Sequence, residues 1–228
     1  MNNLFNLLFN WLRGSKKGNF HIDKSISVGY LLSFSFEKLF DLIRGFFITK
    51  KLFVFIGKNS KIKARKQFKF KKTLVISNNV FIDALSVNGV TLGSNCSIGK
   101  YTCIECTGSL QNLGKGITVG DNCGLGTHSY YGCSGGIEIG NDVIVGNYVS
   151  VHSENHNFSN RDIPIRLQGV NRKGIKIGNN CWIGAKATIL DGSTIGNGCV
   201  IAAGAVVRGR FPANVVIGGV PAKILKDR

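Results

Sequence analysis

The sequence predicts a mainly β protein built as a parallel β-helix, and three features of the chain support that fold class. Near the C-terminus a branched aliphatic residue recurs every six positions: Ile177, Ile183, Ile189, Ile195, Ile201 and Val207. A small residue stands four places after each of the first five: Cys181, Ala187, Ser193, Cys199 and Ala205. The chain has 30 glycines and only 3 prolines, which suits a coil made of tight corners. A strict period of about six fits neither an α-helix nor an alternating strand, and it is typical of a β-helix whose coils have short, equal sides.

The same period extends far upstream and gives the expected length of the coil. Counting back in sixes lands on ten positions, of which only Ser86 is polar: Ile56, Ile62, Phe68, Leu74, Val80, Ser86, Leu92, Ile98, Ile104 and Leu110. After short jumps, which predict surface insertions, the period resumes at Val119, Leu125, Tyr131, Ile139, Val145 and Val151. The 22 hexads in register predict roughly seven coils of three hexads each. The register is lost between Val151 and Ile177, which predicts a long loop of the kind that tends to carry function.

The organisation along the chain follows from this repeat. We predict one elongated domain rather than two globular ones, because a single repeat runs through most of the 228 residues. Its parts are a basic amphipathic helical extension over residues 1–55 and a β-helix domain over residues 56–228. The domain includes a loop at about 152–174 and a short C-terminal tail.

The seven cysteines do not suggest a disulfide framework, since their number is odd. Four of them occupy the small-residue corner position, where a free thiol behaves as a small apolar group: Cys96, Cys123, Cys181 and Cys199. We therefore expect a reducing compartment. The corner pattern does not account for Cys103 and Cys106.

Basic residues are concentrated in the first third of the chain. Residues 1–75 hold 16 of the 29 Lys and Arg and only three acids, so they carry most of the net charge of +17. Two segments there have the spacing of amphipathic helices. In the first, Leu4, Phe5, Leu8, Trp11 and Leu12 stand opposite Asn6, Asn10 and Arg13. In the second, Phe36, Leu39, Phe40, Ile43 and Phe47 stand opposite Glu37, Asp41 and Arg44.

Two roles for this extension are open at the level of sequence. Its aromatic faces and lysines would suit the anionic inner surface of a membrane, where we expect a peripheral cytoplasmic protein. The same helices could instead cover the open end of the β-helix. The start of the chain lacks a signal-peptide pattern, and residues 25–36, the longest uncharged stretch there, are too short to span a bilayer. We expect no nucleic-acid partner, because no recognised nucleic-acid module accompanies the basic charge.

The stretch that loses the register, VHSENHNFSNRDIPIRLQGVNRKG, predicts an acid–base site. It contains two of the four histidines, and histidine is well matched to take a proton from an alcohol near neutral pH. His156 stands where the repeat opens into the loop. Glu154 and Asp162 lie near it in sequence and could orient its imidazole or stabilise the cation. His152 follows the interior residue Val151 and is expected to point outward.

These hexads, together with SENHNF, GIKIGNNCWIGAKATIL, IAAGAVV and VIGGVPAKIL, resemble the hexapeptide-repeat O-acetyltransferases. The resemblance covers residues 56–228 and is closest to the sugar acetyltransferases of polysaccharide biosynthesis. It implies a left-handed β-helix, against the usual right-handed crossover. It also implies a homotrimer with active sites between subunits, acetyl-CoA as co-substrate and no metal. The implied acceptor is a sugar or a lipid-linked glycan.

The resemblance also implies roles for individual residues. His156 would be the general base, with Glu154 beside it, and Trp182 would flank the cofactor groove. Backbone positions along the pantetheine would be Gly184, Ala185, Ala202, Ala203 and Gly204. Lys223 and Lys226 would lie near the nucleotide phosphates. Relatives often have threonine–lysine where Arg208 stands here, so which cation binds the phosphates stays open. His128 and Asp162 would contact the acceptor, although His128 could equally face solvent and Trp182 could be an ordinary outward residue of its hexad.

Three alternatives to sugar O-acetylation are open at the level of sequence. An N-acetyltransferase acting on a nucleotide-linked amino sugar is the first. A zinc enzyme like the γ-class carbonic anhydrases would need three histidines, and His128, His152 and His156 occupy different offsets within the hexad. A non-enzymatic scaffold would leave the SENHNF segment without a role.

Overall fold

The computed structural model describes residues 22–228, and in it the chain winds into a three-sided β-helix. The first predicted amphipathic segment, residues 4–13, lies outside the described residues. Three parallel sheets form the sides, which we call faces A, B and C in the order in which the chain visits them. The predicted left-handed β-helix is confirmed.

Each face is a ladder of very short strands. Face A contains Val54–Ile56, Leu74–Ile76, Cys96–Ile98, Gly124–Leu125, Ile144–Val145, Trp182–Ile183, Val200–Ile201, Val215–Gly219 and the antiparallel Ala222–Asp227. Face B contains Lys61–Lys63, Phe81–Asp83, Cys103–Glu105, Tyr130–Gly132, Ser150–His152, Thr188–Leu190 and Val206–Val207. Face C contains Phe68–Phe70, Val90–Leu92, Ile117–Val119, Ile137–Ile139, Ile175–Ile177, Thr194–Ile195 and Arg210–Phe211. Faces B and C therefore have seven strands each, matching the roughly seven coils predicted. Short 3-10 turns cover Arg65–Gln67 and Ile165–Leu167.

The interior of the prism is filled by aliphatic side chains stacked in columns. Ile183 pairs with Val145 below and Ile201 above, and all three are at most 5% exposed. The predicted corner residues are equally buried, none above 2%: Cys181, Ala187, Ser193, Cys199 and Ala205. In these C-terminal coils each side of the prism thus points two residues inward, a small one and then a branched one, because side chains alternate along a strand.

The predicted register is wrong in the first two coils, by two residues. Ile56 pairs with Ile76, not with Leu74, because 3-10 and turn residues lengthen the corner after Ile62. Leu74 and Ile76 are both fully buried. A period of six therefore gives an apolar residue at either position, and the pattern does not reveal which of the two pairs with Ile56. Leu110 is also misplaced: it is 87% exposed in an insertion between Glu105 and Ile117 rather than inside the coil.

The corner cysteines are free thiols packed against backbone. Cys96 and Cys123 approach the carbonyl oxygens of the next coil at 3.2 and 3.1 Å. Burial raises the pKa of Cys123 to about 11, so this thiol stays protonated near neutral pH. Cys103 and Cys106 stand in a Cys-x-x-Cys spacing, but Cys103 lies on the outer side of its strand and Cys106 is fully buried at the corner.

The three corners where faces meet run along the prism as edges, which we name AB, BC and CA. Insertions concentrate on edge BC, where residues 106–116 and 153–174 leave the coil between a face-B strand and a face-C strand. Edge AB has only short turns, and it is lined by a column of residues with left-handed backbone: Asn59, Asn79, Tyr101, His128, Tyr148, Lys186 and Gly204. The faces and edges thus place each predicted site residue on a known side of the prism.

A single described helix, α1 (Val28–Thr49), precedes the coil and packs against its first strand. Ser27 caps its start by accepting a hydrogen bond from the Tyr30 N–H. Gly45 lies against the Val54 carbonyl, and Arg44 donates to the Ile56 carbonyl. The helix therefore covers the open end of the prism. Within residues 22–228 no helix is long and apolar enough to cross a membrane.

Candidate active site

The long loop on edge BC carries His156. It spans residues 153–174, between the strand Ser150–His152 on face B and Ile175–Ile177 on face C. Its stem is a small antiparallel hairpin in which Asn155–His156 pairs with Val170–Asn171. His156 is exposed on this hairpin, so its imidazole is open to a substrate arriving from outside its own coil.

A buried carboxylate holds both ends of the loop. Asp191 is only 3% exposed. It accepts hydrogen bonds from the backbone N–H groups of Lys173 at 3.0 Å and Gly174 at 2.7 Å, and from the side-chain amide of Asn155 at 3.3 Å. Hydrogen bonds to an ionised acceptor are stronger than neutral ones. Asp191 therefore fixes the residue directly before His156 together with the last residues of the loop.

Glu154 does not orient the imidazole of His156 in the way the sequence suggested. Its carboxylate accepts a hydrogen bond from Arg172 Nε at 2.6 Å, across the hairpin stem. Arg172 also donates to the backbone carbonyl of Asn112 at 3.1 Å, in the neighbouring insertion on edge BC. The pair thus ties two insertions together, and because the carboxylate is engaged there, Glu154 braces the loop.

Asp162 also lies apart from the imidazole. It is exposed further along the loop, where its backbone N–H donates to Asn160 Oδ1 at 2.9 Å. Between residues 22 and 228, no hydrogen bond joins Asp162 or Glu154 to His156. The expected carboxylate–imidazole pair is therefore not formed within one chain.

His152 points outward at the root of the loop, as predicted, and belongs to a polar group on face B. Its Nε2 is 2.6 Å from Ser150 Oγ, and its ring centroid is 5.5 Å from that of Tyr130. The Tyr130 hydroxyl donates to Glu105 Oε2 at 2.8 Å. Burial lowers the pKa of His152 and raises that of Tyr130, so both side chains are neutral near neutral pH.

Edge AB carries an exposed aromatic stack with His128 at its centre. The His128 ring lies 4.8 Å from the Tyr101 ring in the coil below and 4.9 Å from the Tyr148 ring in the coil above, nearly parallel to both. All three side chains are exposed. The residues occupy equivalent left-handed corner positions, so the one-coil repeat places their rings in register. The three stacked rings therefore form a continuous exposed aromatic surface along edge AB.

The same edge continues toward the C-terminus as a strip of small residues. A Cβ on Gly184 would lie 2.5 Å from the Ala203 nitrogen, so only glycine fits between these stacked corners. Gly204 has a φ of 72° and open space around it. Ala185 and Ala203, one coil apart, are exposed, and their backbone N–H groups donate to no acceptor in the described part of the chain. Ala202 is half-buried beside them, and its N–H donates to the Ile217 carbonyl at 2.7 Å.

The remaining predicted cofactor residues divide between two parts of the prism. Trp182 is 56% exposed on face A, immediately before the edge AB strip and beside Val200 of the next coil. Lys223 and Lys226 are exposed on the antiparallel strand that ends face A. Arg208 follows a face-B strand and is exposed on edge BC, so the structure separates it from the other predicted cofactor residues.

The three histidines invoked for a zinc site do not converge. His128 lies on edge AB, His152 on face B and His156 on the loop at edge BC. Over residues 22–228, no three or more His, Cys, Asp or Glu side chains are grouped so that they could hold a metal ion. Within one chain these three histidines therefore do not form a ligand set.

One chain also does not bring His156 and the edge AB strip to the same place. The histidine loop leaves edge BC, whereas Ala185, Ala203 and Trp182 lie on edge AB and face A. Face B separates the two edges. Two halves of a candidate site therefore lie on different sides of one prism.

Sequence comparisons bear on what these halves belong to. The profile described as bacterial transferase hexapeptide (six repeats) matches residues 174–209, and that of the hexapeptide repeat of succinyl-transferase matches residues 116–152. A galactoside O-acetyltransferase from Escherichia coli K12 is 47% identical over 53 residues, covering 23% of this chain and 26% of that protein. A protein of the same strain, provisionally named as a lipopolysaccharide biosynthesis O-acetyl transferase, is 38% identical over 97 residues, covering 40% of this chain and 50% of its own length. This chain thus contains hexapeptide repeats of the transferase type over residues 116–152 and 174–209.

The similarity of this hexapeptide-repeat protein to its relatives is partial in length. The aligned stretch spans half or less of each of these two proteins. Among solved structures, a single-residue variant of AntD, an N-acyltransferase from Bacillus cereus in complex with dTDP and coenzyme A, has a TM-score of 0.59. It is 20% identical, and the match covers 72% of this chain and 86% of that one. At this identity the likeness shows the shared fold.

Several residues of the candidate site were not found from the sequence. Asp191 stands at a corner where the repeat alone predicts nothing, and its partners lie up to 36 residues away in the chain. Arg172 is also absent from the sequence-based set. Tyr101 and Tyr148 flank His128 only because the coils stack them. Alignment of the coils in threes would have found the tyrosines, since they share a position with His128, whereas the Asp191 contacts depend on the path of the loop.

Proposed function

We propose that this protein transfers acetyl from acetyl-CoA to a hydroxyl group of a sugar, in a surface polysaccharide or its precursor. The relatives named above as O-acetyltransferases support the reaction class, and one of them is named for lipopolysaccharide biosynthesis. The observation that carries the proposal is the exposed His156 on a braced hairpin, in a chain whose edge AB offers two unpaired N–H groups in a glycine- and alanine-lined strip.

His156 is proposed as the general base. Its imidazole takes the proton of the acceptor hydroxyl while that oxygen attacks the thioester carbonyl carbon. Collapse of the tetrahedral intermediate breaks the carbon–sulfur bond, and the imidazolium returns its proton to the departing coenzyme A thiolate. The products are an acetate ester and free coenzyme A, and no acetyl-enzyme is formed.

Acetyl-CoA is proposed to lie along edge AB. The pantetheine arm contains amide carbonyls, which would accept hydrogen bonds from the N–H groups of Ala185 and Ala203. Gly184 and Gly204 permit the close backbone approach that such contacts need. Trp182 would pack beside the arm on face A, and Lys223 and Lys226 would offset the phosphate charge.

The acceptor is proposed to contact the aromatic stack on the same edge. Tyr148 is one coil from Lys186, directly below the strip, so an acceptor on the stack would lie next to the acetyl end of the arm. Exposed aromatic rings with polar edges suit the mixed apolar and hydroxylated surface of a sugar. His128 at the centre of the stack would then be an acceptor contact.

Assembly as a homotrimer would join the two halves. In a closed ring each interface has the same composition, so the edge BC loop of one subunit would face the edge AB strip of its neighbour at every interface. The polar group around His152, which lies on face B between edges AB and BC, would then be next to the interface.

The decisive experiment removes His156 and follows both substrates. His156→Ala is expected to lower kcat by about 10² to 10⁴, the usual contribution of a general base. The assay incubates the full-length protein with labelled acetyl-CoA and a panel of glycans and measures thioester consumption and labelled product. Because His156 is exposed, the variant should keep the melting temperature of the wild type. Near-normal turnover in the variant would refute the assignment.

Treating the labelled product with alkali shows whether the acetyl group is held as an ester or as an amide. Mild alkali removes an O-acetyl group and leaves an N-acetyl group in place. The N-acetyl alternative is carried by a tetrahydropyridine-dicarboxylate N-acetyltransferase of Clostridium perfringens, 54% identical over 51 residues. If the label survives alkali, the acceptor group is an amine and not a sugar hydroxyl.

A further inference from the structure

Helix α1 packs on the prism with its polar side inward. Its buried residues are Leu31, Asp41 and Gly45. Asp41 is 2% exposed, and its carboxylate binds Lys38 Nζ and Arg44 Nη1, both at 3.0 Å. Asp41 and its two cations therefore face the end of the coil, and the opposite, apolar side of the helix faces away from the prism.

The outward side of α1 is a continuous apolar and aromatic surface. Its members are between 42% and 68% exposed: Leu32, Phe36, Leu39, Phe40, Ile43, Phe46 and Phe47. Leu52 extends it beyond the helix and is also exposed. From Leu32 to Phe47 this surface is about 23 Å long. Soluble proteins rarely expose an apolar patch of this extent, and such patches mark interaction sites.

A collar of exposed basic residues surrounds the same end of the prism. It lies on the first coil and at the end of the helix: Lys50, Lys51, Lys58, Lys61, Lys63, Arg65, Lys66, Lys69, Lys71 and Lys72. Over residues 22–75 there are 13 Lys and Arg against three acids, of which Asp41 is buried and paired. Lys61 projects from face B and Lys69 from face C. The collar therefore faces several directions at once.

We propose that this end of the molecule docks on a lipid bilayer containing anionic headgroups. The apolar side of α1 would enter the boundary between headgroups and acyl chains, as amphipathic interfacial helices do. The collar would meet the phosphates, and each basic residue near such a surface adds attraction that salt weakens. An extended anionic plane engages charges on all sides of the prism together, which a single protein groove does not. The prism would then stand with its edge AB strip accessible to soluble acetyl-CoA.

The test combines vesicle binding with matched variants of the full-length chain. Vesicles of phosphatidylcholine alone are compared with vesicles that also contain phosphatidylglycerol, in flotation assays at low and high salt. Phe40→Ser/Phe47→Ser removes two exposed aromatic side chains from the apolar side, and Lys61→Glu/Lys69→Glu reverses two charges of the collar. Leu110→Ser is the control, because Leu110 is equally solvent-exposed but lies on edge BC.

The wild type and Leu110→Ser are expected to bind the anionic vesicles alike, and to release as salt rises. Each double variant is expected to weaken binding by about tenfold or more while keeping the wild-type melting temperature. Equal binding of wild type and Phe40→Ser/Phe47→Ser would overturn the proposal. So would a change in oligomeric mass caused by that variant, because it would show that a second copy covers the surface.

A fluorescent probe on the helix locates the contact itself. Phe47→Trp, in a chain that also carries Trp11→Phe and Trp182→Phe so that no other indole emits, places the probe at the most exposed aromatic position of α1. Its emission should shift to shorter wavelength when anionic vesicles are added, because the ring leaves water. Emission that is already blue-shifted without vesicles would show that residues 1–21 cover the surface, and this too would overturn the proposal.

Discussion

A single buried carboxylate decides where the reactive histidine stands. Asp191 binds both the start of the hairpin, through Asn155, and its end, through the N–H groups of Lys173 and Gly174. His156 itself has a plain sequence signature, because a histidine in a broken repeat is conspicuous. Asp191 does not, because its role arises only when two coils stack and bring together residues that are distant in the chain.

Replacing Asp191 should therefore impair catalysis without touching the cofactor strip. Asp191→Asn removes the negative charge and replaces one acceptor oxygen by an amide NH2 while keeping the volume, so one of the donors that hold the loop loses its acceptor. We expect kcat to fall about tenfold and the KM for acetyl-CoA to stay near the wild-type value, since edge AB is unaltered. A general loss of folding would instead lower the fraction of active protein and the melting temperature.

Asp142→Asn is the matched control for that variant. Asp142 lies on edge CA and accepts a hydrogen bond from the Asn122 amide at 3.1 Å, which an asparagine oxygen can also accept. Its kcat and melting temperature should match those of the wild type. If Asp191→Asn behaves in the same way, the carboxylate has no positioning role.

His152 should give the folded protein a specific dependence on pH. Burial lowers the pKa of its imidazole in the folded state, so the unfolded chain takes up a proton first as the pH falls. The free energy of unfolding therefore has its full value, as far as His152 is concerned, above the ordinary histidine pKa of about 6.5, and it falls progressively below that pH. His152→Gln should therefore lose less melting temperature than the wild type between about pH 7 and about pH 5. Parallel curves for the two proteins would contradict this account.

At the scale of the element, the hexad predicts the coil but not its register. Phe68 and Phe70 are both inward, as are Leu74 and Ile76, so the apolar pattern is satisfied by either of two alignments. Turn geometry makes the choice, because the 3-10 turn after the first face-B strand adds residues that a count of six ignores. The C-terminal coils have minimal corners and small residues at the inward corner position, and there the sequence-based register is correct.

Two glycines of helix α1 form a matched pair for testing how the helix packs on the prism. A Cβ on Gly45 would overlap the Val54 carbonyl, whereas a Cβ on Gly29 would meet nothing within 4 Å. Gly45→Ala should destabilise the end of the prism by on the order of 1 to 3 kcal/mol, as overpacking does. Gly29→Ala should be neutral or stabilise by up to about 1 kcal/mol through helix propensity.

Melting temperature and limited proteolysis of the helix measure both changes. Gly45→Ala should expose α1 to protease first, because its packing contact is lost while the distant coils are not altered. If the two alanine variants are equally stable and equally resistant, the helix does not rest on the first strand as described.

At the scale of the whole molecule, the division of the site between edges BC and AB predicts cooperation between chains. Neither composition nor the repeat shows which edge a residue occupies, since this depends on the number of residues in every preceding corner. Once the coils are in place, His156 and the Ala185–Ala203 strip lie on opposite sides of face B. The proposed homotrimer is the arrangement that would complete every site with the same contact.

Mixed assemblies test this shared site directly. One chain carries His156→Ala, and the other carries Ala203→Phe, which fills the exposed strip on edge AB without disturbing the interior. Each variant alone should be nearly inactive. If every site takes its histidine from one subunit and its strip from the next, random co-assembly of equal amounts joins intact halves in about a quarter of the sites. Activity near that fraction, with each variant at its wild-type oligomeric mass, is the expected result. A mixture no more active than its separate components would show that each chain works alone, because two defective sites cannot then repair one another.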